Sequence, residues 1–308
     1  RLYNSTYTEN QRQDFISQWV DFKSVCNGLE LSIDDVFRYY SHVIRGRNGI
    51  TTSEKRLRDF FTNDSHSPLT YSSYDVVLTD LYKILDAIKY VKKKSCVGGF
   101  DEPGPWLQIL HEYTNQYPMY AVIVYLFNHE VELRNGKIAF VRFLQSLIRY
   151  CLYTGGTSSI KFGIYPIIKQ ISQGDTIDDY RRNDITIETF DHLGRLKNAY
   201  ALLSYLLETK AEIPPKYNID KIINLRDESL LDEKWLYTNL NDICNSIGNL
   251  VVLDIPKKYV TYKDKYQYYK TSRNSYVSSI LGSPDFSYED WKMRDIRMKN
   301  LLVDFFRK

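Results

Sequence analysis

Ile138–Tyr153 reads IAFVRFLQSLIRYCLY, and this run decides the fold class. It is apolar on nearly every side at helical spacing, which predicts a helix at the centre of a bundle. It carries Arg142 and Arg149, and no apolar run in the chain reaches the ~20 residues that a bilayer crossing needs.

Toward the N-terminus the same 3.6-residue period recurs. Tyr120–Phe127 is apolar, and helices are expected at about Trp106–Tyr113 and Met119–Asn128, after a Pro- and Gly-rich turn at Asp101–Pro105. A long helix is expected over Ser73–Lys94, with Val77, Leu81, Ile84, Leu85 and Ile88 on one side. Its C-terminal lysines, Lys92, Lys93 and Lys94, suit the negative end of a helix, and Gly98-Gly99 break it. A shorter helix is expected at Arg56–Phe61. Ser32 is placed to cap a helix carrying Val36, Phe37, Tyr40 and Val43, with Asp34 and Asp35 in its first turn. Phe15, Trp19 and Phe22 share one face of a first helix, which Gly28 stops.

Toward the C-terminus Gly155-Gly156 end the central run, and helices are expected at Ser159–Ile171 and Phe190–Thr209. Pro214-Pro215 cannot continue a helix, so Glu212–Pro215 reads as a stiff linker dividing the chain into 1–211 and 212–308. Beyond it come a β-like run at Tyr217–Leu225, a helix at Asp232–Cys244, and a turn into a strand at Ile247–Leu253. A basic, tyrosine-rich helix at Tyr262–Ser272 and an amphipathic one at Tyr288–Phe306 complete the chain. The fold class expected is mainly α: a multi-helix bundle followed by a small α+β module of ββα outline.

Composition narrows the function. The chain has 308 residues, 43% of them hydrophobic, so a packed core is expected. A net charge of +3 is too small to mark the whole chain as a polyanion binder, so any basic site must be local. The four cysteines, Cys26, Cys96, Cys151 and Cys244, form no C-x-x-C pair, which argues against a zinc knuckle and a disulfide framework and fits a reducing, cytoplasmic setting. The 27 tyrosines serve cores, interfaces and stacking surfaces alike. The first residue is Arg1 and no signal-peptide pattern follows, so the chain is expected to be part of a longer protein. There is no phosphate loop at Lys92–Gly99, no G-x-S-x-G elbow, no H-E-x-x-H helix and no dinucleotide fingerprint. His111, His129 and Glu130 lie on different predicted helices, so spacing gives them no common metal.

Ile247–Leu253 (IGNLVVL) resembles a stretch in the C-terminal HNH domain of GmrSD-type modification-dependent restriction endonucleases. Tyr200–Glu208 is similar to that family's helix before the first nuclease strand, and Tyr217–Asn224 lies where the strand would be. Lys265, Tyr269 and Ser272 resemble its K…Y…S helix, and Trp291, Ile296 and Arg297 its final W…I..R helix. Phe15–Trp19 and Ser32–Gly46 resemble the helical region that joins the ParB-like nucleotidase domain to the nuclease. The resemblance implies nucleotide-dependent cleavage of modified phage DNA, a bacterial defence role, DNA as partner, and a nucleotidase domain N-terminal to this chain.

The departure from the family pattern sits at the catalytic pair. Where the family has an acidic residue followed by histidine, this chain has Asp220-Lys221. An HNH histidine is the general base for the attacking water, with a metal ion on the leaving phosphate. Lysine is protonated at neutral pH unless desolvated. The last histidine is His192, ahead of the module. The expectation is a degenerate HNH site at Asp220, Lys221 and Asn249 with its chemistry lost and no resident cofactor or metal. The alternative is a magnesium-dependent endonuclease built on Asp220, Asp227, Glu228 and Asn249. The other reading of Asn249 is a buried amide bonding backbone.

Lys257, Lys258, Lys263, Lys265, Lys270 and Arg273 stand against one acid, Asp264, with Tyr259, Tyr262, Tyr266, Tyr268 and Tyr269 between them. Cations for phosphates and rings for stacking suit a nucleic-acid surface. The expected contacts are Lys257, Lys258, Lys263, Lys265, Tyr266, Lys270 and Arg273. A surface for an acidic protein partner is the alternative.

Overall fold

The computed structural model describes residues 8–51, 56–62, 73–95, 97–113, 115–155, 159–175, 177–224, 240–256, 262–274, 276–277 and 286–308. Lys257, Lys258, Tyr259, Asp227, Glu228, Cys96 and the first part of the helix expected at Asp232–Cys244 lie outside them. The chain is mainly α-helical, with one small two-stranded antiparallel sheet. Among the described residues no helix is long and apolar enough to cross a membrane.

The helices run in chain order as α1 (Glu9–Gly28), α2 (Ile33–Arg47), α3 (Leu57–Thr62), α4 (Tyr74–Lys94), α5 (Pro103–His111) and α6 (Tyr117–Asn128). Then come α7 (Arg134–Thr154), α8 (Ser159–Gln173), α9 (Lys197–Thr209), α10 (Leu240–Asn245), α11 (Tyr262–Tyr269) and α12 (Tyr288–Arg307). Strand β1 (Asn218–Lys221) pairs with β2 (Leu250–Leu253), with Asp220 opposite Val251 and Lys221 opposite Leu250.

Two compact units form. The first draws on Arg1–Lys93, Asn115–Phe140 and Thr154–Asp178; the second on Lys94–Thr114, Val141–Tyr153 and Asp179–Lys308. The sequence divides the chain once, at 212, whereas each unit is assembled from separate stretches. Helix α7 supplies residues to both. Its Phe140, Phe143, Leu144, Leu147, Ile148 and Cys151 are buried, while Ile138 and Tyr153, the ends of the apolar run, are 44% and 42% exposed.

In the first unit α2, α6 and α8 pack on one another. Gly46 of α2 lets α8 approach so closely that a Cβ there would come 2.0 Å from Ser172 Oγ. The expected aromatic face of α1 is present: Trp19 lies 5.2 Å from Phe22 and 6.1 Å from Phe37, ring centre to ring centre. The Ser32 cap also forms, accepting from Asp35 N at 3.1 Å.

In the second unit α12 packs on α9 and on the 3₁₀ turn Ile247–Asn249 that leads into β2. Ser287 caps α12 reciprocally with Asp290. Two boundaries differ from the sequence reading. Helix α5 begins at Pro103, inside the expected turn, because proline at the first position costs no intrahelical bond. The expected Phe190–Thr209 helix is broken into 3₁₀ turns at Ile187–Phe190 and Gly194–Leu196 before α9 begins. Gly194 has φ 54°, a left-handed conformation that interrupts a right-handed helix.

Candidate functional site

The period of two in a strand decides what β1 turns inward. Asp220 and, two residues on, Ile222 are buried, while Ile219 is only partly so. The carboxylate, rather than Ile219, has the inward position.

Helix α11 offers its inward face to that carboxylate. Tyr262, Lys265 and Tyr269, spaced three and four apart, are all buried. The Tyr269 hydroxyl donates to Asp220 Oδ2, and Lys265 Nζ lies 3.2 Å from the same oxygen. Lys221 N donates to Asp220 Oδ1 at 2.8 Å. Lys265 Nζ also donates to the Lys221 carbonyl. Asp220 is thus 5% exposed and held by three donors, and Lys265 is 0% exposed. Burial, and then the charge on Asp220, push the Tyr269 phenol well above its ordinary range, so it stays a donor.

The same helix ties down the far end of the sheet. The Ser272 hydroxyl donates to Asp254 Oδ1, and Arg273 N donates to Asp254 Oδ2 at 3.0 Å. Lys265, Tyr269 and Ser272 therefore all bind β1 or the residue that follows β2.

Asn249 is 0% exposed and its amide is fully engaged. Oδ1 accepts from Ile223 N at 2.8 Å, and Nδ2 donates to Ile223 O at 2.8 Å and to Cys244 O at 3.4 Å. It extends the β1–β2 pairing with a side chain. Asn249 is thus a buried amide bonding backbone, and Asp227 and Glu228 of the magnesium reading lie outside the described residues.

A divalent ion implied by an HNH-type module would need Asp220 as a ligand. The residues do not fit one: the oxygen such an ion would take is held by the Lys265 ammonium and the Tyr269 hydroxyl. Among the described residues no group of three His, Cys, Asp or Glu side chains is gathered closely enough to bind a metal.

Lys221 is partly exposed and its Nζ donates to Asn245 Oδ1 at 3.0 Å. Asn245 lines a hollow of about 290 Å³ together with His192, Asp191, Lys197 and Asp242. The fold thus brings the last histidine to the flank of the module, although it lies before β1 in sequence.

The outward face of α11 is basic. Lys263 and Lys270 are exposed, Arg273 beyond the helix is exposed, and Tyr266 is partly exposed with Lys270 Nζ 4.3 Å from its ring centre. Lys265 does not belong to this surface, because its charge is spent inside on Asp220.

Sequence reasoning missed Arg294 and Asp295 of α12. Arg294 donates to the Gly248 carbonyl at 2.6 Å and to the Tyr276 hydroxyl at 2.9 Å. Asp295 accepts from Gly248 N at 2.8 Å. Burial pushes the Tyr276 phenol up to about 12, with Arg294 opposing. The Trp291 indole donates to Ser246 Oγ at 2.8 Å, whereas Ile296 is 40% exposed and Arg297 pairs with Glu208 at 2.7 Å. The available sequence signal was that Arg294 and Asp295 fall in helical phase with the apolar Met298 and Leu302 of α12, on the face it buries.

No family model, no curated protein and no solved structure matches this chain.

Proposed function

We propose that this chain is a helical scaffold whose C-terminal ββα module contacts nucleic acid through the outward face of α11 and carries out no hydrolysis at Asp220. One observation carries the reading: α11 seals Asp220 with Lys265 and Tyr269 on its inner face, and presents Lys263, Tyr266 and Lys270 on its outer face. The resemblance to GmrSD-type restriction proteins supports DNA as the polyanion and a role in bacterial phage defence, with nucleotide chemistry belonging to a nucleotidase domain. The missing histidine, replaced by Lys221, supports loss of cleavage.

Plasmid and modified phage DNA incubated with the protein and Mg²⁺ or Mn²⁺, read by gel shift and cleavage in the same tubes, test the proposal. Binding without cleavage is expected. Lys263→Ala with Lys270→Ala should weaken binding and flatten the log–log salt slope by roughly 2, about one unit per lost phosphate contact. Unchanged affinity in that double variant defeats the interface. Metal-dependent cleavage lost on Asp220→Ala defeats the inert site.

A further inference from the structure

A lysine with no exposed surface in a small two-stranded module needs a physical reason. Burying an ammonium costs several kcal/mol unless it is paired and hydrogen-bonded. Lys265 meets both conditions through the Asp220 carboxylate at 3.2 Å and the Lys221 carbonyl. The Tyr269 hydroxyl shares the same carboxylate oxygen. Carboxylate and main-chain carbonyl oxygens are donors that hard divalent cations take. The point at which they converge holds Nζ.

We propose that the Lys265 ammonium is the built-in cation of the ββα module, occupying the place where a divalent ion would meet Asp220. The inference rests on reading β1, β2 and α11 as an HNH-like module. The module is then metal-independent, and an ammonium fixed at that point repels any divalent ion approaching Asp220. The donor oxygens remain around it, so shortening Lys265 opens a latent cation site. Its ligand class is a small organic ammonium ion or a hard divalent cation.

Thermal unfolding of the full chain tests this. For the native sequence the midpoint should be the same in EDTA, Mg²⁺ and Mn²⁺. Lys265→Met keeps the hydrocarbon stem and strands the carboxylate, and should lower the midpoint by roughly 10 °C. Adding Asp220→Asn to Lys265→Met should restore most of that loss. In Lys265→Ala, n-propylammonium chloride should raise the midpoint saturably, an effect absent from the native chain and from Asp220→Asn with Lys265→Ala. A saturable rise of the native midpoint with Mg²⁺ or Mn²⁺ that Asp220→Asn abolishes would overturn the proposal. So would a Lys265→Met loss no greater than that of Lys263→Met on the surface. If the single variants do not fold, the Asp220→Asn, Lys265→Met pair decides: a folded, metal-indifferent protein supports the proposal and an unfolded one overturns it. The readout is stability rather than affinity, so its failure leaves the DNA-contact reading standing, and a failed gel shift leaves this inference standing.

Discussion

Asn249 does the work of a third strand with one side chain. Its amide gives and receives one hydrogen bond with the backbone of Ile223, just beyond the end of β1. Asn249→Ala removes both bonds, strands the buried Ile223 N–H and leaves its C=O only the Cys244 thiol at 3.8 Å. The expected loss is about 3 kcal/mol in urea unfolding, since each stranded group forfeits its own desolvation cost. Its neighbour Gly248 faces a similar demand: an added Cβ would lie 2.5 Å from Asp295 Cβ. Gly248→Ala should therefore cost about 2 kcal/mol through displacement of α12. The residue scale is also where the sequence says least. The glycine and asparagine of IGNL stand out as a motif, but their partners, Asp295 and Ile223, are 47 and 26 residues away. Asp220 stands out too; that it faces Lys265 depends on strand phase, and it is the one fully buried residue of β1.

Helices were the most legible elements, because their period is written in the apolar residues. Their ends were less so. Where an end depends on a cap within three residues, as at Ser32 or Ser287, the sequence shows it. Where it depends on distant chain, it does not. The C-terminus of α12 is such a case. Arg149 donates from Nε to Phe305 O at 2.7 Å, and its guanidinium lies 4.6 Å from the Phe305 ring centre. Arg182 N donates to Phe306 O at 2.8 Å, and Arg307 donates outward to Ile185 O at 2.6 Å. The bonds from Arg149 and Arg182 satisfy carbonyls that the last turn of a helix leaves open. Arg149→Met keeps much of the packing and loses the donor. It should cost about 2 kcal/mol and speed hydrogen exchange in the final turn of α12 ahead of its first turns.

At the scale of the whole molecule, acid acts on a buried ring in the first unit. His42 in the first unit stacks on Tyr120 at 4.0 Å and faces Tyr165 at 5.9 Å. Nδ1 donates to Arg38 O at 2.8 Å, and Nε2, buried, has no partner among the described residues. Burial lowers its pKa to about 3, with the charges of Arg45 and Arg38 adding to the effect against the Arg38 carbonyl bond. Between that value and the unfolded value near 6.5 the unfolded chain binds the extra proton. Stability therefore rises with pH in this window and is lost as pH falls below about 6.5. From pH 7 to pH 5 this site should remove about 2 kcal/mol. Comparing urea midpoints of the native chain with His42→Gln at both pH values checks it; equal losses would exclude His42 as the cause. The mainly α class and the small sheet are readable from the sequence, but the assembly of each unit from separate stretches is not, because contacts such as Arg149 to Phe305 leave no local pattern. That assembly has a consequence for biosynthesis. The clasp on α12 joins Arg149 to Phe305, a residue made 156 positions later. The second unit therefore stays incomplete on the ribosome until α12 has been made, and a chain stopped within α12 would lack these closing bonds.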